Sequence, residues 1–172
     1  MSQHSTDAYA RLSDPGRMGR LARYDLFHPG LKARMEAVAS RSAERLGAPV
    51  SLVSVISDRS QFILGGHGIS GWVPEPLGTP AEWALCTHTV LAGEPYCIID
   101  GTKDPVHAGN PLLAMTGVRS YGGVPLIDGS GHTLGAHCVI DLAPRSFTED
   151  DLGVLREGAE EAMRILADYC SA

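Results

Sequence analysis

VRSYGGVPLIDGSGHTLGAHCVID, running from Val118 to Asp141, decides the fold. Two runs of strand-forming residues flank Asp128-Gly129-Ser130-Gly131, the residue types of a tight hairpin turn. Adjacent strands joined by so short a turn must run antiparallel. Pro125 has no N–H to donate, so the first strand needs a bulge or an unpaired donor position there. In the second strand His137 and Val139 share one face, and Ala136, Cys138 and Ile140 share the other.

The same pattern extends upstream. PVSLVSVIS, from Pro49 to Ser57, is apolar on both alternating sets of positions, as in a strand covered on both faces. Ser57-Asp58-Arg59-Ser60 is a turn, and QFILGG returns as the hairpin partner. HGISGWVPEPLG is a loop punctuated by Gly and Pro, with Trp72 as an anchor. PYCIID is a short strand. GTKDPVHAGNPLLAMTG is a long loop with one helical turn after Asn110-Pro111. There, Asp104-Pro105 and Asn110-Pro111 read as turn and cap chemistry.

Helices bracket these strands. In LKARMEAVASRSAERLG, Leu31, Met35, Val38, Ser42 and Leu46 recur at helical spacing, and Gly47 supplies a stop. TPAEWALCTHTVLAG reads as a helix capped by Thr79, Pro80 and Glu82, or one starting nearer Ala84. Thr148 caps a last helix whose apolar face holds Leu152, Leu155, Ala159, Ala162, Leu166 and Tyr169. Gly158 lies off that face, open to the approach of another helix. Residues 1–23, broken by Asp14-Pro15-Gly16, read as a flexible arm with at most a short helix, leaving 24–172 as one domain. The expected fold class is α+β, with a central antiparallel sheet of five to six strands. The terminal helices cover one face, and the middle helix and loops roof the other, enclosing a chamber near Tyr121 and His137.

Bulk properties narrow the function. The chain has 172 residues, 44% apolar and 20% charged, with a formal charge of -6. That size suits one domain with a core. The charge disfavours nucleic acid and anionic membrane surfaces as partners. No apolar run reaches membrane-span length and no secretory signal opens the chain, so a cytoplasmic protein is the expectation. The four cysteines, Cys86, Cys97, Cys138 and Cys170, lack zinc spacing and are expected as thiols.

Several segments in order resemble the GAF domain family: ERLGAPVSLVSVI, CTHTVLAGEPYCIIDGTKDP, NPLL, VRSYGGVPL, and GHTLGAHCVID with PRSFTEDDLGVLREGA. The similarity runs from about Tyr24 to about Ala167. It implies the GAF/PAS-like sheet just described and a small-molecule ligand held between sheet and roof. It also implies a regulatory role, often as a dimer. Most GAF domains adjoin an output domain, and these 172 residues are taken up by one fold. A signal is then expected to pass through homodimerisation by the terminal helices or through a separate signalling partner.

Six residues are candidate ligand contacts: Phe62, Trp83, Cys86, His88, Tyr121 and His137. Each has a plainer reading. Phe62, Trp83 and Tyr121 also suit an ordinary core. Cys86 is either packed core or, within the first turn of its helix, a reactive thiol. Residues two apart on a helix point about 200° away from each other, so Cys86 and His88 do not form a dyad or a shared metal site on a continuous helix. His88 suits a pocket edge. His137 is either a core imidazole bonded to a backbone carbonyl or to Tyr121, or a donor to an anionic or heterocyclic ligand, a haem axial ligand included. Gly122-Gly123 permits close approach of a ligand or tight strand packing. Bilin-carrying relatives place His directly after the attachment Cys, whereas Thr87 intervenes here. Free methionine sulfoxide reductases, a thiol-enzyme branch of the family, place the catalytic Cys in the long loop, and DPVHAGNPLLAMTG has none. Catalytic and metal-ligating residues are not assigned, and the cofactor is unknown.

Overall fold

A computed structural model of the chain describes residues 3–70 and 79–171. Trp72 lies outside the described residues. The hairpin read from the sequence forms β5 (Ser120–Ile127) and β6 (Thr133–Asp141), paired antiparallel with Tyr121 opposite Ile140 and Val124 opposite His137. β1 (Val50–Ile56) is buried along its whole length between β6 and β2 (Ser60–His67). β4 (Tyr96–Ile98) and β3 (Thr79–Pro80) close the two edges, giving six strands in the order β3-β2-β1-β6-β5-β4. Pro125 is tolerated because β4 pairs only with residues 121–123. Beyond that point β5 has a strand on one side alone, and the ladder shifts register between Leu126 and Ile127.

One face carries α3 (Pro29–Leu46) and α6 (Glu149–Ala167). Pro29 opens α3 behind a His28 cap, and Gly47, at φ 61°, ends it. α6 begins with reciprocal bonds of 3.1 Å between Thr148 and Asp151. The two helices and the strands beneath them share one core around Met35, Val38, Val53, Val139, Leu155 and Leu166. Their outer seam is closed by Arg34–Asp168, Arg41–Glu161 and Arg45–Glu157 at 2.9, 2.5 and 2.6 Å. Beside it, backbone bonds join Asp25 N to Tyr169 O (2.8 Å) and Ser171 N to Arg23 O (2.7 Å). No helix among the described residues is long and apolar enough to cross a membrane.

The opposite face is roofed by α4 (Cys86–Ala92), α5 (Pro111–Thr116) and the loops around them, over a second core that includes Leu52, Ile56, Ala84, Leu113, Tyr121 and Cys138. α4 starts later than a Thr79 cap would place it. Thr79 and Pro80 are instead the edge strand β3, opposite Gln61 and Ser60, so Glu82 completes no capping box. Asn110 caps α5 as expected, its side chain accepting from Leu112 N at 2.9 Å.

The N-terminal stretch departs from the loose arm read in the sequence. Residues Gln3–Ala10 form α1 and Pro15–Leu21 form α2. Asp14-Pro15, read as a break, is a helix start: Asp14 accepts from Arg17 N at 2.9 Å and Pro15 takes the first position. Leu12 enters the roof-side core and Leu21 the helix-side core. Arg17 is buried, and its guanidinium donates to the carbonyls of Thr133 (2.9 Å), Leu12 (2.8 Å) and Ile56. A buried charge with this many acceptors is a clamp between the N-terminal helices and the sheet.

Candidate functional site

Strand alternation decides which residues meet. Ser54 of β1 sits between Val53 and Val55, so it faces the roof with Leu52 and Ile56. Gln61, opposite Ile56 on β2, joins it there. Tyr121 of β5 and Cys138 of β6 point the same way, and Cys86 and Thr89 descend from α4. All six are buried. Their polar atoms satisfy one another: Thr89 Oγ1 and Tyr121 Oη lie 2.7 Å apart, Gln61 Nε2 donates to Ser54 Oγ at 3.0 Å, and the sulfurs of Cys86 and Cys138 are 3.7 Å apart. Hydrogen bonding from Cys138 first, then from Tyr121, Ser54 and Gln61, outweighs burial and brings the Cys86 thiol down to about 7. Burial, reinforced by Cys86, pushes Cys138 up; burial also raises Tyr121, with the two cysteines adding to it.

A second cluster flanks this wall. His88 of α4 stacks on Tyr96 of β4 with centroids 5.4 Å apart, and His107 stands edge-on to His88 at 4.6 Å. Tyr96 Oη and His107 Nε2 are 2.7 Å apart. Burial, then the proximity of His107, lowers His88 to about 4, and burial lowers His107. Asp104 serves as a turn residue, accepting from Val106 N at 2.8 Å. Among the described residues no group of three or more His, Cys, Asp or Glu is placed to hold a metal ion.

The six residues singled out in the sequence therefore divide. Cys86 and Tyr121 meet in the roof-side wall. Trp83 is half-buried just ahead of α4, its carbonyl accepting from Asn110 Nδ2 at 2.9 Å, and His88 lies at the border of the wall. Phe62 and His137 are on the other side of the sheet. Phe62 packs against the helix-side core and meets Phe27 edge-on at 5.8 Å. His137 is fully buried, with Nδ1 2.9 Å from Leu52 O and Nε2 2.7 Å from Ser42 Oγ of α3. Both ring nitrogens are engaged, which removes it as a haem ligand or ligand donor and corrects the chamber drawn between Tyr121 and His137. Burial holds its imidazole down to about 4.

Gly158, read as an outward position, faces inward: a Cβ there would stand 2.6 Å from His137 Nε2. Gly122 and Gly123 serve packing, making room for the Phe147 and Tyr121 rings. Ser54, Gln61 and Thr89 were not singled out, although a serine in an otherwise apolar buried strand is itself a signal. A cavity of about 180 Å³ lies elsewhere, lined by Arg11, Leu12, Asp14, Arg17, Val90, Leu91, His132 and Thr133.

A sheet roofed by two short helices and loops, backed by two long helices and lined with buried polar groups on the roofed side, is the architecture of an α+β module with one face closed over. The sequence pattern of the GAF domain family matches residues 31–166, and the chain belongs to that family. A cyclic di-GMP phosphodiesterase of Pseudomonas aeruginosa is 26% identical over 140 residues, covering 80% of this chain and 23% of that protein. The chain thus spans about a quarter of that relative's length. In three dimensions the chain is similar to a type II free methionine-R-sulfoxide reductase from Thermoplasma acidophilum (TM-score 0.65, 14% identity, 83% of this chain and 96% of that one). It is similar as well to the GAF domain of an Acinetobacter phosphoenolpyruvate-protein phosphotransferase (TM-score 0.61, 14% identity, 98% and 96%). These structural likenesses show the fold.

Proposed function

We propose that this GAF domain is a cytoplasmic small-molecule sensor whose ligand enters between the sheet and α4. The ligand would exchange hydrogen bonds with Tyr121, Thr89, Ser54 and Gln61. The observation that supports this reading is the concentration of buried polar groups on the roofed face. An apolar core would be as stable without them, since mutually bonded polar groups contribute little net free energy. Trp83, just ahead of α4, and His88, on that helix, are the proposed edge contacts. Output passes through homodimerisation or a separate signalling partner; the name of the Pseudomonas relative makes a cyclic-dinucleotide enzyme one class of partner to examine.

Native mass spectrometry of freshly purified protein, followed by a thermal-shift screen of metabolites, tests the reading. A retained molecule, or a metabolite that raises the melting temperature in the wild type and much less in Tyr121→Phe, supports it. No retained molecule and no responding metabolite would overturn it in favour of a module that binds only other proteins. The Cys86–Cys138 contact favours a second reading, a thiol enzyme resembling the reductases of free methionine sulfoxide. Undiminished turnover of that substrate by Cys86→Ser would exclude it.

A further inference from the structure

We propose that Cys86 and Cys138 form a redox-active dithiol that a hydroperoxide converts to a disulfide linking α4 to β6. The inference goes beyond ligand sensing and stands without it. The two sulfurs belong to different elements, lie 3.7 Å apart and are both buried. They lie 52 positions apart in the chain, so packing of α4 on the sheet, and not local sequence, brings them together. The remaining cysteines are placed apart: Cys97 is exposed on β4, and Cys170 ends the chain's last turn opposite Tyr24. Ser54, Gln61 and Tyr121 surround Cys86 with groups able to stabilise a thiolate. Cys138 Sγ, 3.7 Å away on the facing strand, is placed to attack the first product.

The chemistry balances with the peroxide as sole oxidant. The Cys86 thiolate attacks the outer peroxide oxygen, the O–O bond breaks, and the leaving oxygen departs as water or alcohol after taking a proton. Cys86 is then a sulfenic acid. The Cys138 sulfur attacks it, the S–O bond breaks, and water leaves carrying the Cys138 proton. Two electrons have passed from the thiols to the peroxide. A small uncharged oxidant suits a pair closed off by Ala84, Leu85 and Ile56; a tripeptide disulfide does not. Bringing the sulfurs into bonding contact moves the first turn of α4 toward β6. Thr89 is one turn further along that helix, so the Thr89–Tyr121 bond is the first contact to be disturbed.

The test treats the fully reduced chain with hydrogen peroxide, then alkylates and maps peptides. Free thiols should fall from four to two, with a Cys86–Cys138 linked peptide that dithiothreitol removes. A Cys97→Ser/Cys170→Ser variant should give the same link. In Cys138→Ser, dimedone should capture the sulfenic acid at Cys86. A link through Cys97 or Cys170, or peroxide-treated wild type in which Cys86 and Cys138 both remain alkylatable, would overturn the proposal. The wild-type map decides the matter even where a serine variant fails to fold.

Discussion

His137 holds three elements at one point. It bonds Ser42 on α3 and Leu52 on β1, and it lies against Gly158 of α6. His137→Ala leaves a cavity and two unpaired groups and should cost about 2–4 kcal/mol in urea unfolding. Gly158→Ala puts a methyl into the imidazole and should cost about 1–3 kcal/mol. The double variant should lose less than the sum, because removing the ring removes the clash. The imidazole also makes stability depend on pH. Its native value, about 4, lies below the 6.5 of a free histidine. Between these limits the unfolded chain takes up the proton and the folded chain does not. Stability is therefore complete above about pH 6.5 and is lost as pH falls toward 4, by on the order of 3 kcal/mol from this residue alone. His88 and His107 act in the same direction. Melting temperatures at pH 7 and 5 measure the effect, and His137→Asn should reduce it while leaving the part that His88 and His107 contribute. Alternation along β6 told which neighbours share a face with His137. Which layer that face meets depends on the crossover of the whole chain, and residue spacing does not carry that information.

Among the elements, the long ones were legible and the short ones less so. α3, α6, β1 and the β5–β6 hairpin show strong periodicity and clear caps, and they stand where the pattern puts them. α4 was blurred because Thr79 and Pro80 suit a helix start as well as an edge strand. Pairing with β2, a contact distant in sequence, decides between them. Two N-terminal helices stand where the sequence suggested an arm with one short helix at most, for a similar reason: Asp14-Pro15 is both a turn signal and a cap. Their hold on the sheet rests on Arg17. Arg17→Met retains much of the aliphatic stem but leaves the carbonyls of Leu12, Ile56 and Thr133 without that donor. It should cost about 2–4 kcal/mol, and limited proteolysis should then cut within residues 11–23 before the rest of the domain. Asn110 bears on the roof: its side chain caps α5 and also donates to the Trp83 carbonyl. Asn110→Ala should cost about 1–2 kcal/mol, read by chemical denaturation.

At the scale of the molecule, the six-stranded sheet separates two cores with different chemistry. The helix-side core is mostly apolar around His137 and its partners, whereas the roof-side core contains the hydroxyl, amide and thiol cluster. That division was only half visible in the sequence, because Phe62 and His137 read as pocket residues until the register placed them behind the sheet. The outer surface of α3 and α6 is charged along its seam. A dimer built on that surface would lean on screened ion pairs. Its association should weaken between about 0.05 and 0.5 M salt, and sedimentation velocity reads the change; a salt-indifferent dimer would use another face. The backbone bonds joining residues 23–25 to 169–171 tie the way into α3 to the way out of α6. At the other end Arg145, just ahead of α6, donates to the carbonyl of Leu46, the last residue of α3, at 2.6 Å. Fastened at both ends, the pair should carry a load applied to either helix as one rigid strut.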